Sequence, residues 1–159
     1  MGSDRWGGES FDALYRDSYP TVVRSVRWIV GDREVAREIA QDAFVAALVH
    51  WRKVSRYDNP GAWVRRVAIR DAVRAAQRAR RPAAFALDGA ATDRDDVMDV
   101  RAAVARLPPQ QRAVVVLHYL HDLPVADVAR TLGCSEGTAK THLFRARKAL
   151  AERLGEEAG

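Results

Sequence analysis

The stretch VADVARTLGCSEGTAKTHLFRARKAL, residues 125–150, decides how the chain is read. It opens on a short apolar pattern, with Val125, Val128, Ala129 and Leu132 at helical spacing. Gly133 follows, a residue free to take the left-handed turn that ends a helix. Ser135 stands where a side-chain oxygen can cap the next helix. In that helix Ala139, Leu143, Ala146, Leu150 and Leu154 share one stripe at ~100° per residue. Gly137, Thr141, Phe144, Arg145 and Lys148 fall opposite, with Lys140 and Arg147 toward one flank. Two helices joined by a short glycine turn make the DNA-binding helix-turn-helix arrangement. Phe144, off the apolar stripe and among cations, suits a thymine methyl or a sugar–base edge in a major groove. Arg145 and Lys140 can donate to guanine or to phosphate. Gly137, near the helix start, lets a phosphate come close to the backbone N–H groups.

Beyond this stretch, the whole chain reads as helix. Ser10 is placed to cap a first helix whose apolar positions are Phe11, Leu14, Tyr15, Val22, Val23, Val26, Ile29 and Val30, with Pro20 as a point of kink or division. Gly31 and Asp32 are a stop and a cap. A second helix is predicted over 33–53, with Val35, Ile39, Ala43, Ala46 or Ala47 and His50 on one face. VSRYDNPG, residues 54–61, breaks the pattern; Asn59 can cap and Pro60 can start a third helix reaching about residue 80. Its inner stripe is Trp63, Val67, Ala68 and Ala72 or Val73. RPAAFALDGAATDRDDV, residues 81–97, has the Pro, Gly and Asp content of a tether. Four shorter helices follow, over 98–106, 109–121, 125–132 and 136–154. The expected fold is all-α: two small helical domains, 9–81 and 98–155, joined by a flexible linker, 82–97.

Composition narrows the function. At 159 residues the chain holds one domain or two small ones, and a 48% hydrophobic share excludes wholesale disorder. The net charge of +5 favours a polyanionic partner, but the distribution of that charge says more. On the predicted third helix and just beyond it, Arg65, Arg66, Arg70, Arg74, Arg78, Arg80 and Arg81 face a single acid, Asp71. Such a stripe binds phosphate without specificity. The loop before it, with Arg56, Tyr57, Asp58 and Asn59, has the stacking and hydrogen-bonding groups that hold an unstacked base. Tyr57 can equally anchor the loop against Trp51. Glu38, Gln41 and Asp42 form an acidic, amide-bearing patch at helical spacing, suited to arginine-rich partners.

Other classes find little support. Cys134 is the one cysteine, so an intrachain disulfide and a cysteine-based zinc cluster are both excluded. The four histidines, His50, His118, His121 and His142, are scattered; His118 and His121 are spaced for a metal pair, but no third ligand accompanies them. With no phosphate-binding glycine loop and no nucleophile motif, neither an enzyme nor a cofactor is expected. MGSDRWGGES lacks the basic start and apolar run of a signal peptide, and no segment is apolar enough to cross a bilayer. A cytoplasmic location without membrane insertion is the expectation.

The stretch over 106–150, RLPPQQRAVVVLHYLHDLPVADVARTLGCSEGTAKTHLFRARKAL, closely resembles region 4 of extracytoplasmic-function (ECF) sigma factors, the small two-domain members of the bacterial sigma-70 family. REVAREIAQDAFVAALVHW, residues 33–51, resembles regions 2.1–2.2, and NPGAWVRRVAIRDAVRAAQRARR, residues 59–81, resembles regions 2.3 and 2.4. Nothing resembles region 1.1 or region 3, as in that group. The resemblance implies a subunit that brings core RNA polymerase to promoters. It implies −35 contacts by Gly137, Thr138, Lys140, Thr141, Phe144, Arg145 and Lys148. It implies −10 recognition and melting by Arg56, Tyr57, Asp58, Asn59, Trp63, Arg66, Arg70 and Arg74. It places Glu38, Gln41 and Asp42 on the β′ clamp helices and the helix over 112–119 on the β flap, and it threads the acidic linker toward the polymerase active centre. An anti-sigma protein is a further partner it admits. Three positions depart from the family pattern: Pro124 replaces a polar cap, Arg70 stands where many members carry Asn, and Asp42 where Glu is usual. The runner-up, a helix-turn-helix regulator outside the polymerase, needs a ligand pocket or dimer interface in residues 1–97. The acidic and arginine-rich helices there do not suggest one.

Overall fold

The computed structural model describes residues 8–79 and 94–158. Most of the expected linker, with Asp88 and Asp93, and the arginines Arg80 and Arg81 lie outside the described residues. Eight α-helices are described: α1 (Gly8–Val30), α2 (Arg33–Val49), α3 (Trp51–Val54), α4 (Pro60–Ala79), α5 (Arg94–Ala105), α6 (Pro109–Val115), α7 (Val125–Leu132) and α8 (Glu136–Ala158). A π-helical turn, Val116–Leu120, continues α6. Among the described residues there is no strand.

Local chemistry sets most boundaries. Asp32 caps α2 by accepting from the backbone N–H groups of Glu34 and Val35 at 2.8 and 3.1 Å. Asn59 Oδ1 accepts from Ala62 N at 3.0 Å, with Pro60 as the first residue of α4. Ser135 Oγ accepts from Thr138 N at 3.0 Å, and Gly133 ends α7 at φ 73°. Pro124 stands at the N-terminus of α7 without a side-chain bond, so that helix starts uncapped.

Several expectations need correction. α1 begins at Gly8, which puts Ser10 inside its first turn, and it runs unbroken through Pro20. The second helix ends at Val49, and α3 restarts after His50. α5 begins at Arg94, inside the stretch expected to be linker. The helix expected over 109–121 loosens into the π turn, closed by a bond from His121 N to Val116 O at 3.3 Å.

The inner faces of two helices match the expected ones in part: Ala43 and Ala47 of α2 and Ala68, Ala72 and Val73 of α4 are buried as expected, and the rest of each face is turned. On α2 the buried positions are Ala36, Ala40, Ala43, Phe44 and Ala47, while Val35 and His50 are exposed. On α4 they are Val64, Ala68, Ile69, Ala72, Val73 and Ala76, while Trp63 and Val67 are half-buried. The alanines of α2 turn inward because small side chains let α1 and α4 approach closely, which Val35 and Ile39 in their place would hinder.

The helices of the two halves share one core. Val22, Val26 and Ile29 of α1, Phe44 of α2 and Ile69 of α4 belong to the same buried cluster as Val114, Leu117, Val128 and Leu143. The three long helices of the first half, α1, α2 and α4, pack against one another as a bundle, and the second half meets that bundle through α5, α6, the π turn and α7.

Candidate nucleic-acid interface

The helix-turn-helix carries its expected face. Ala139, Leu143 and Ala146 are buried against the core, with Leu150 and Leu154 half-buried. Gly137, Thr138, Lys140, Thr141, Phe144, Arg145 and Lys148 are all exposed. Phe144 is 68% exposed, which no packing role explains. The Thr141 hydroxyl donates to Gly137 O at 3.0 Å, so it meets a ligand as an acceptor. The Ser135 hydroxyl donates to Thr138 Oγ1 at 2.9 Å, which fixes the start of the helix. Arg147 has a local partner: its Nε donates to the Tyr119 hydroxyl at 2.6 Å, and its guanidinium lies 5.7 Å from that ring centroid.

The residues expected to read the −10 element come together on the loop before α4 and on its outer face. Arg56, Tyr57, Asp58, Asn59 and Arg74 are exposed; Trp63, Arg66 and Arg70 are half-buried. Arg74 pairs with Asp71 at 2.5 Å. Tyr57 is 38% exposed, while Trp51 is buried and meets Phe11 edge-on at 5.4 Å between centroids. Asn59 uses its side-chain oxygen as the helix cap, which leaves its amide NH2 as the group available to a ligand.

One edge of this surface borders the helix-turn-helix. A groove of about 490 Å³ runs between it and the helix-turn-helix, with Tyr57, Asn59, Trp63, Arg65 and Arg66 on one side and Leu123, Asp127, Arg130 and Thr131 on the other. Burial pulls Arg65 below its ordinary value, and the Asp127 carboxylate across the groove opposes that shift. Arg70 does not point into solvent: it donates from Nε to Thr131 O at 2.8 Å and from Nη2 to Arg130 O at 3.2 Å.

The acidic stripe is larger than its three expected residues. Glu38, Gln41 and Asp42 are exposed on α2, and the same face continues through Val45, Leu48 and Val49, which are 54%, 52% and 72% exposed. Sequence reasoning kept Val45, Leu48 and Val49 off the inner face but named only the polar members of the outer one. The helix expected to meet the β flap has most of its residues inside: Arg112, Ala113, Val114, Val116 and Leu117 are buried, and Tyr119 and Leu120 emerge at its end. Two of the histidines have separate partners. His118 Nδ1 lies 2.9 Å from Leu123 O, and His121 Nε2 lies 2.8 Å from Ser25 Oγ. Since Ser25 donates its proton to Thr21 O at 2.8 Å, its oxygen accepts from His121.

The sequence matches the family models for Sigma-70 region 2 over residues 14–82 and Sigma-70 region 4 over residues 98–150. It is 33% identical over 163 aligned positions to the ECF RNA polymerase sigma factor SigM of Mycobacterium tuberculosis, covering 98% of this chain and 81% of that protein. It is 30% identical to the ECF RNA polymerase sigma factor BldN of Streptomyces coelicolor, covering 94% of this chain and 62% of that one. In fold it is similar to the sigma factor RpoE of Bartonella quintana, solved with the anti-sigma factor NepR, at a TM-score of 0.75 and 20% identity over 93% of this chain and 98% of the other. It is also similar to CnrH, solved with the cytosolic domain of CnrY, at a TM-score of 0.69 and 21% identity over 98% of this chain and 94% of the other. With both helical halves matched in sequence and the exposed basic helix in place, the chain belongs to the ECF sigma factors of the sigma-70 family.

Proposed function

We propose that this chain is an alternative sigma factor that binds core RNA polymerase in the cytoplasm and directs transcription initiation at a subset of promoters through −10 and −35 elements. One observation carries the reading: a single chain combines an exposed recognition helix, an arginine-lined loop-and-helix surface, and an acidic stripe separate from both. A regulator acting outside the polymerase uses the first and has no need of the third.

The division of labour follows from chemistry. Gly137, Thr138, Lys140, Thr141, Phe144, Arg145 and Lys148 meet the −35 element, with Arg145 and Lys140 donating and Phe144 making apolar contact. Arg56, Tyr57, Asp58, Asn59, Trp63, Arg66, Arg70 and Arg74 meet the −10 element, where an aromatic and polar loop holds a flipped base and so traps the melted strand. The step is a population shift and needs no bond chemistry from this subunit, which acts without being an enzyme. Glu38, Gln41 and Asp42 dock on the β′ clamp helices, and Val45, Leu48 and Val49 add apolar area beside those charges. Tyr119 and Leu120 are the groups available for a flap contact. The two solved relatives in fold were each captured with a named partner, which supports an anti-sigma protein as a partner here.

The test is transcription with bacterial core polymerase and a promoter library. The chain should bind core and yield discrete transcripts. Asp42→Arg should reduce core binding by tenfold or more, roughly the effect of reversing one interfacial charge, while far-ultraviolet circular dichroism stays unchanged. Arg145→Ala should weaken −35 recognition, by about 1–3 kcal/mol for a base contact, and leave core binding intact. No association with core at low salt sinks the reading.

A further inference from the structure

A cavity of about 370 Å³ lies between α1, the start of α2 and α5, away from the groove beside α7. Arg24, Arg27, Arg33, Arg37 and Arg101 line it, together with the half-buried Trp28, and none of the described lining residues is a carboxylate. It shares no residue with the surfaces assigned above to promoter or polymerase. Five guanidiniums around one small volume repel one another, and the low-dielectric walls of a cavity focus their field. Arg101 lies over the Trp28 ring, 5.4 Å from its centroid, and its Nε is buried with no hydrogen-bond partner among the described residues. A buried donor left unmade is costly, and an anion that enters the cavity supplies its acceptor. Arg37 meets Glu34 at 3.3 Å in an exposed pair, of the kind that contributes little.

We propose that this cavity is a binding site for linked phosphate groups carried by a small molecule, either an inorganic polyphosphate or a nucleoside polyphosphate. Phosphate is the anion that matches the lining: a guanidinium fork bonds two of its oxygens at once, and successive phosphates give several arginines a partner each. A lone sulfate engages fewer of the five cations and binds more weakly. The volume is that of a small-ligand site, and a duplex does not fit in it. Where the phosphates come on a nucleotide, Trp28 and Tyr19 offer ring surface beside the arginines. On binding, Arg37 exchanges a surface ion pair with Glu34 for a charge-assisted bond inside the cavity. The site stands independently of the sigma-factor reading.

Isothermal titration calorimetry of the full chain tests the site, with inorganic tripolyphosphate, ATP without added magnesium, and sulfate as ligands. Tripolyphosphate and ATP should bind in the micromolar range, and sulfate about tenfold more weakly or worse. Equal affinities for the first two assign the site to the phosphate chain alone, and tighter ATP adds the rings; either result supports it. Arg37→Ala should weaken both ligands about tenfold, the loss of one charge-assisted bond, and Arg101→Ala at least as much. Glu34→Gln removes the competing carboxylate and should tighten both roughly twofold. Arg52→Ala, which removes an exposed cation outside the cavity, should change neither. Circular dichroism checks the fold of each variant; Arg37 is exposed, so its variant decides should Arg101→Ala lose helicity. Both ligands should raise the melting temperature of the wild type, because they bind the folded chain. Absence of binding at millimolar ligand, sulfate as tight as tripolyphosphate, or an Arg37→Ala affinity equal to that of wild type overturns the proposal. So does a single-stranded oligonucleotide whose binding needs Arg37 and which tripolyphosphate does not displace, since the cavity then serves nucleic acid.

Discussion

His121 shows what a single residue contributes to the seam between the halves. Burial, then the charges of Arg65 and Arg24, push its imidazole down from 6.5 to about 4, against the opposing pull of Asp122. The neutral ring donates from Nε2 to Ser25, and a proton added at Nδ1 leaves that donor in place, so the cost of the charged ring lies in its burial and in the two guanidiniums. The sign is fixed by linkage: the unfolded chain takes up a proton below about 6.5, and the folded one resists until about 4. His121 therefore costs nothing above neutral pH and destabilises the fold progressively as pH falls through that window. Chemical denaturation from pH 7.5 to 4 should show a shallower acid loss in His121→Gln than in wild type, and equal slopes would refute the assignment. The low value of His121 is invisible in sequence, because Arg24 and Arg65 reach it from helices far away along the chain.

At the scale of elements, end chemistry is what the sequence states most clearly. Asn59–Pro60 and Gly133–Ser135 are read as a start and a stop followed by a start, and the cap bonds lie where they are expected. Capping is local: the donor and acceptor are two or three residues apart, which makes these starts legible, whereas Ser10, read on the same grounds, lies inside the first turn of α1. Ser135→Ala should therefore cost about 1 kcal/mol of stability, measured by denaturant midpoint at constant slope, and a change near zero would show that the cap does not govern the start of α8. Facing is less legible. On α2 the stripe through Val35 and Ile39 and the stripe through Ala36 and Ala40 both fit the helical period, and both include Ala43 and Ala47. Which one turns inward depends on how close α1 and α4 come, a property of the assembled bundle. The π turn after α6 is hidden for a similar reason, since its apolar residues repeat as an ordinary helix would.

At the scale of the whole molecule, the two helical halves pack together around a common core. Leu117 and Val128 belong to the same buried cluster as Ile29 and Ile69, and Arg112 is 2% exposed with its guanidinium against α1. A shared core predicts one cooperative transition. Thermal unfolding followed by circular dichroism and by tryptophan fluorescence should give coincident curves, with Trp28, Trp51 and Trp63 reporting on the first half. Two separated transitions would mean that the halves fold as independent units.

The amino-acid order alone was enough for the all-α class, the helix-turn-helix with its exposed Phe144 and Arg145, the arginine-rich helix and the family resemblance. Each of these depends on spacing within one segment, and periodicity and capping act over a few residues. Packing in three dimensions was needed to turn Arg70 to the end of α7, to carry Arg112 to α1, and to leave Val45, Leu48 and Val49 bare beside the acidic stripe. Those facts depend on residues up to 83 positions apart meeting in space. A guanidinium carries no mark in sequence of whether its partner will be a phosphate or a helix carbonyl, because both offer the same negative oxygen.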